Sequence, residues 1–356
     1  MLKLRFSLFV ALGLALTAPA GGADVAAPST IRKPRLVPNS ALPPLPPAVI
    51  DNKLLIGGED IKARKVETRM TVEVHVNGRG PYHFLVDSGA DSSAVGLNIA
   101  RQLSLPLGTP AILHGTTSSA EVDRVKVDEL SLGQSTIRDL EVPALREEDL
   151  GGEGMIGIDA LVQQRLMMDF EARVIKAEDA RTPAAFMDGD IVVTARRRRG
   201  QLILTQVKAA RLPVEAVIDT GSEITIGNNA LKKLLIRGNP HSFVTVTAVG
   251  VTGVPMELQL ARVGELQVGT VLLRDVPMAF ADVAPFEMFG LSKEPAILLG
   301  TDLLETFRRV SLDFKARKVR FQLRKCGEQG FIVSTSPTFW STRLYSGENL
   351  DVCKRQ

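Results

Sequence analysis

Two octets carry the residues whose types and spacing could do chemistry. Phe84-Leu85-Val86-Asp87-Ser88-Gly89-Ala90-Asp91 runs from apolar residues into Asp, a small hydroxyl residue, Gly, a small residue and an acid. Ala216-Val217-Ile218-Asp219-Thr220-Gly221-Ser222-Glu223 repeats that order. Two carboxylates close enough to share a proton cannot both ionise easily, so the pair holds one acid and one base over the same pH range. The ionised member can deprotonate a water held between them, while the protonated member donates to a carbonyl oxygen under attack. That apparatus suits peptide hydrolysis without a covalent intermediate, which makes Asp87 and Asp219 the candidate catalytic residues.

The flanking residues fit this use. Each apolar run places its Asp at the end of a buried strand. Ser88 and Thr220 can bond backbone across a junction between two loops. Gly89 and Gly221 permit a tight turn and close approach of a substrate chain, and Ala90 and Ser222 complete the two loops with small side chains. A single Asp-Thr-Gly is ordinarily a β-turn in which Asp bonds its own backbone. Here the surroundings repeat as well, which a chance turn does not explain.

The elements that position the octets are strands. Val72, Val74 and Val76 alternate with polar residues, Asn77-Gly78 supplies a tight hairpin turn, and Tyr82–Val86 returns into Asp87. A short helix is expected over Leu97–Leu103. A hairpin tip follows at His114-Gly115-Thr116-Thr117-Ser118-Ser119, then strands through Leu132 and another over Ile137–Leu145. A helix is expected over Gly154–Leu161, before Met168-Asp169-Phe170. The second half repeats this order. Leu202 and Leu204 lie 17 and 15 residues before Asp219, as Met70 and Val72 lie before Asp87. A helix over Ala230–Leu235, a tip at Val249-Gly250-Val251-Thr252-Gly253, and Ile297–Leu304 with Leu312-Asp313-Phe314 follow in turn. Gly115, Thr116, Gly250 and Gly253 are candidate lid and substrate-binding residues. Arg196–Gly200 reads as a solvated hairpin loop.

These patterns predict an all-β protein with two similar lobes, each with short helices, and a site at their junction. Residues 1–20 read as a signal peptide: Lys3 and Arg5, an apolar run from Phe6 to Leu16, then Ala18-Pro19-Ala20. An uncleaved anchor is the alternative. Residues 21–60 form a Pro-rich linker or pro-segment, residues 61–185 and 186–323 the two lobes, and residues 324–356 a tail. The expected location is exported, periplasmic or secreted, with no membrane span once the leader is removed.

Composition narrows the function further. Of 356 residues 45% are apolar and 23% charged, and the net charge is +3, with Lys3 and Arg5 in the leader. Such near-neutrality gives nucleic acid no electrostatic footing. No cofactor or metal is expected, because His75, His83, His114 and His241 are scattered without ligand spacing. No Gly-x-Ser-x-Gly elbow appears. Gly151-Gly152-Glu153-Gly154 lacks the Lys-Ser/Thr of a phosphate loop and reads as a flexible turn. Cys326 and Cys353 are compatible with one disulfide in the tail of an exported protein.

Asp87-Ser88-Gly89-Ala90-Asp91 and Asp219-Thr220-Gly221-Ser222 resemble the active-site motifs of retropepsin-like aspartic proteases. Met155-Ile156-Gly157 and Leu298-Leu299-Gly300 resemble that family's second signature, and the resemblance covers about residues 65–323 in two copies. It implies that Asp87 and Asp219 form the catalytic dyad, that Ser88 and Thr220 interlock, and that the tips near Gly115 and Gly250 are flaps. It also implies a peptide or protein substrate. Retroviral members build the site from two identical chains, whereas this chain carries both halves, which implies a monomer acting as an intramolecular pseudo-dimer. The sequence departs from the family after the second-signature glycine, where retroviral members have a basic residue and this chain has Ile158 and Thr301. Asp91 and Glu223 are thereby left without that brace. Asp159 and Asp302 read as structural residues at helix starts. A non-catalytic peptide-binding protein that keeps the groove is the alternative to an endopeptidase.

Overall fold

The computed structural model describes residues 69–133, 135–161, 164–181, 191–198, 201–236 and 243–324. It also describes strand backbone at Glu59–Val66 and short strands at 3–5, 9–13, 35–36, 332–334 and 341–343. The expectations for the remaining leader, the Pro-rich segment and the tail, with Cys326 and Cys353, lie outside the described residues.

Strand β1 is Glu59–Val66, β2 is Arg69–Val76 and β3 is Arg79–Val86. Asn77 and Gly78 turn β2 into β3 with φ of 49° and 70°, the left-handed pair that a two-residue hairpin requires. The lobe continues with β4 (Ala94–Gly96), α1 (Leu97–Gln102), β5 (Ala111–Gly115), β6 (Ser119–Val122), β7 (Arg124–Leu132) and β8 (Ser135–Leu145). It ends with α2 (Glu147–Leu150), β9 (Gly154–Ile156) and α3 (Ile158–Leu161). The strands pair in the order β7-β8-β4-β9-β3-β2, and β7 pairs back onto β2, closing a six-stranded barrel. Full closure leaves this ring no free edge.

Two expectations are corrected. Gly154–Leu161 is not one helix: Gly154–Ile156 runs as a strand parallel to Phe84–Val86, and the helix starts only at Ile158. Met155 and Ile156 are both wholly buried, which a strand in the middle of a barrel wall achieves on its two faces. Arg196–Arg198 is likewise not loop but strand backbone, paired with Gln201–Ile203. The closing signal at residues 297–304 divides in the same way, into a strand and a helix.

The second lobe repeats the first element by element. After β10 (Gln164–Asp169), β11 (Val174–Asp179), β12 (Ile191–Thr194) and β13 (Arg196–Arg198) come β14 (Gln201–Ala209), β15 (Leu212–Ile218) and β16 (Ile226–Gly227). Next are α4 (Asn229–Ile236), β17 (Val244–Val249), β18 (Pro255–Val268), β19 (Val271–Phe280), α5 (Ala284–Met288), β20 (Ala296–Leu299) and α6 (Thr301–Leu304). The ring runs β18-β19-β16-β20-β15-β14 and closes by β18 on β14. Even the strand directions match, since β9 lies parallel to β3 and antiparallel to β4, as β20 does to β15 and β16.

A shared sheet joins the lobes. Its order is β1-β11-β10-β21-β22-β12, where β21 is Arg309–Asp313 and β22 is Lys318–Gln322. The order is symmetric about the β10–β21 pair, in which Met167 lies opposite Ser311. Arg309 donates to Asp169 across that seam at 2.5 Å. The core is aliphatic, with Phe84, Phe286, Phe289, Phe307, Phe314 and Phe321 as its fully buried rings.

Candidate active site

Each octet delivers its Asp at the mouth of a barrel by the same backbone device. The Asp87 N–H donates to Ile156 O at 2.9 Å and the Asp219 N–H to Leu299 O at 3.1 Å. The second-signature strand thus pins the first carbonyl-to-amide step beyond β3 and β15. The glycines that follow these strands are required for contact. A Cβ on Gly157 would overlap the Ser92 carbonyl, and one on Gly300 the Ile224 carbonyl.

Helix starts then tie the loops down. Asp159 accepts from the Ser93 N–H at 2.9 Å and hydroxyl at 2.7 Å. Asp302 accepts from the Thr225 N–H at 3.0 Å and hydroxyl at 2.7 Å. Burial raises the Asp159 carboxyl and raises that of Asp302 to about 6, both opposed by these hydrogen bonds.

Across the lobe junction the loops interlock. Ser88 N–H donates to Thr220 Oγ1 at 2.8 Å, and that hydroxyl donates on to Val86 O at 2.7 Å. Reciprocally, Thr220 N–H donates to Ser88 Oγ at 3.2 Å, which donates to Ile218 O at 3.1 Å. Four buried hydrogen bonds therefore fix the two Asp-bearing loops against each other. Gly89 N–H donates to Asp87 Oδ1 at 2.7 Å, and Gly221 and Ser222 N–H groups donate to Asp219 Oδ1 at 3.1 Å each. Ala90 N–H points at the Asp87 carbonyl at 3.4 Å.

Both carboxyls are wholly buried, and neither Oδ2 receives a protein hydrogen bond among the described residues. Burial, then the charge of Asp219, hold the Asp87 carboxyl well above the usual carboxylate range. Burial also pushes Asp219 up to about 7 against its backbone donors. One proton is thus retained by the pair where an isolated Asp would be ionised.

The brace missing from the second signature is supplied from elsewhere. Arg69, 1% exposed, forms an ion pair with Glu223 across the junction at 2.7 Å and donates to Leu150 O at 3.3 Å. In the other direction Gln201 Nε2 donates to Asp91 Oδ1 at 3.2 Å. Neither residue stands out when read alone. The signal was positional, because Arg69 and Gln201 each precede their aspartate by 18 residues. Gly151, read as a flexible turn, ends α2 with φ of 80°, and a Cβ there would strike the Arg69 guanidinium.

The two hairpin tips meet each other. Gly115 N–H donates to Ser118 O and Gly253 N–H to Gly250 O, each at 2.9 Å, making a tight turn in each hairpin. The two tips touch: Ser118 Oγ and Thr252 Oγ1 share a hydrogen bond at 2.6 Å. Thr116 is buried, and Gly250 packs so closely on Thr117 that a Cβ would strike its hydroxyl. Val251 leaves its own lobe and buries itself among Leu85, Ala94, Leu113, Val122 and Met155 of the first. Extended backbone lies on both tip hairpins, with Phe9–Gly13 antiparallel to β5 and Lys3–Arg5 parallel to β17.

Two closed barrels of one design, each offering an Asp from the same strand end to a common junction, define a duplicated acid-pair protein. Residues 72–160 and 205–303 match the family model for aspartyl proteases. These segments fill the two barrels and make up more than half of the 356 residues. The chain belongs to the aspartyl protease family, in its retropepsin-like form. No curated protein matches it.

Proposed function

We propose that this chain is an exported, monomeric aspartic endopeptidase that hydrolyses peptide bonds by water activation between Asp87 and Asp219. The observation that carries the reading is the carboxyl pair itself: set at one junction by the Ser88–Thr220 interlock, buried, and raised in pKa, with both Oδ2 atoms free of protein donors among the described residues. A water bound between the carboxyls gives a proton to the ionised member as its oxygen attacks the substrate carbonyl carbon. The protonated member donates to the carbonyl oxygen, giving a neutral gem-diol. Its collapse breaks the C–N bond as a carboxyl proton passes to the leaving nitrogen. The Ser88–Thr220 interlock keeps the carboxyls in register throughout.

Substrate binding follows from the flaps. A peptide adding to a strand edge gains main-chain hydrogen bonds whatever its sequence, and Phe9–Gly13 occupies β5 in this way. Removal of the leader on export would leave that edge to substrate. Export is supported by the basic start and short apolar run of residues 1–20, and a monomeric state by the presence of both Asp-bearing lobes in one chain.

The test is cleavage of denatured casein between pH 4 and pH 7 by the purified protein without its leader. Wild type should cut it, and Asp87→Asn and Asp219→Asn should each lose at least about a hundredfold. A folded wild type that leaves the casein intact over this range would refute the endopeptidase reading in favour of a binding protein.

A further inference from the structure

The two lobes brace each other at equivalent positions with unlike residues. Arg69 at the start of β2 reaches Glu223, and Gln201 at the start of β14 reaches Asp91. The first is an ion pair buried to 1% and 5% exposure, the second a neutral amide on a carboxylate. A duplicated site thus carries a fixed cation on one side only.

We infer that Arg69 is a positioning residue that sets the pH window of the Asp87–Asp219 pair through the one-sided charge it places in the lobe junction. This rests on the proposed acid-pair chemistry and adds what tunes it. Arg69 is held rigidly: Glu223 and Leu150 O fix its guanidinium, and Gly151 leaves it room. Its charge acts on both aspartates, favouring their ionised forms against burial. Other titratable groups around the dyad are engaged locally. Asp91 is bonded to Gln201, Asp159 to Ser93, Asp302 to Thr225, His114 to Ser119 and Asp149 to Arg146, while Glu223 holds Arg69 itself. A buried cation acting on a desolvated acid pair is poorly screened, so its effect should survive high salt.

The test replaces the ion pair by a neutral amide pair, Arg69→Gln with Glu223→Gln, which leaves no buried charge unmatched. The readout is the ¹³C-carboxyl NMR titration of Asp87 and Asp219, which needs no turnover, alongside the kcat/KM profile on labelled denatured casein. Both titration steps should move up, by less than loss of the cation alone would give because the Glu223 charge leaves with it, and the two limbs of the activity profile should follow. Gln201→Arg, which adds a second cation opposite Asp91, should move them down. It serves as the deciding variant where the double substitution does not fold. A folded variant with lowered melting temperature but unmoved carboxyl titrations assigns Arg69 a purely structural role and overturns the inference. Shifted titrations in a protein that cleaves nothing would leave the inference standing and remove the protease reading.

Discussion

Thr220→Val isolates the interlock from the chemistry. The substitution keeps the branched shape and removes one hydroxyl, which accepts from Ser88 N–H at 2.8 Å and donates to Val86 O at 2.7 Å. Both partners lie in the buried lobe junction, where water does not replace the lost bonds. Leaving a buried donor or acceptor unmatched costs about 1–3 kcal/mol each, so the pair should cost about 2–6 kcal/mol. Thr220→Ser is the control, because it retains the hydroxyl and loses only a methyl group, worth about 1 kcal/mol. Urea unfolding followed by circular dichroism reads the difference. With a slope of about 3 kcal/mol per M, the Val variant should unfold roughly 0.7–2 M earlier than wild type, and the Ser variant within about 0.3 M. The same Val variant should lose activity on casein, since Ser88 N–H and Val86 O flank Asp87 on either side. Equal midpoints for the Val and Ser variants would refute the reasoning, because the hydroxyl would then contribute nothing to joining the lobes.

Two further outcomes follow from the site. The folded pKa of Asp219, about 7, lies above its ordinary value of 3.8, so the folded state binds the proton more tightly than the unfolded chain. Stability should therefore decline as pH rises from about 4 to about 7. Asp219→Asn should reduce that decline, leaving the part that burial of Asp87 contributes, while abolishing cleavage; an unchanged slope from pH 4 to pH 7 would count against the raised carboxyl. Gly300→Ala forces a Cβ onto the Ile224 carbonyl, backbone that cannot rotate away. It should cost about 1–3 kcal/mol, as an overpacked core does, measured as a fall in melting temperature, and a neutral result would mean the loop yields.

The architecture was legible because its signals are local and doubled. Asn77-Gly78 between alternating valines announces a hairpin by steric rules alone, and the spacing from Leu202 to Asp219 copies that from Met70 to Asp87. The short segments around Gly157 and Gly300 were not legible as strand then helix. Three apolar residues carry no period, and only pairing with β3 or β15 makes them extended. Helix α5 was missed as well, although Pro285 in its first turn is a helix-start signal; its Phe286 and Met288 are buried and offered no polar face to reveal it. The sheet shared by the lobes was invisible for a different reason. Met168-Asp169-Phe170 and Leu312-Asp313-Phe314 looked like terminal echoes of each lobe, and nothing in either segment alone says that β10 and β21 pair with each other.

What the repeat concealed is where its copies have diverged. The residues that hold the loops to their own barrels are near-equivalents: Ser93 and Thr225, Asp159 and Asp302, Gly157 and Gly300. Those that reach across the junction are not, with Arg69 against Gln201 and, at the flap tips, polar Thr117 against apolar Val251. In an assembly of two identical chains every cross-junction residue appears twice, so a buried cation on one side entails a second on the other. Joining both halves in one chain removes that constraint. One lobe can then supply a buried cation at the junction and the other an apolar tip that packs into its neighbour. Because each contact crosses the junction, its partner belongs to the other copy, and comparison of the two halves position by position shows a difference without showing what it touches.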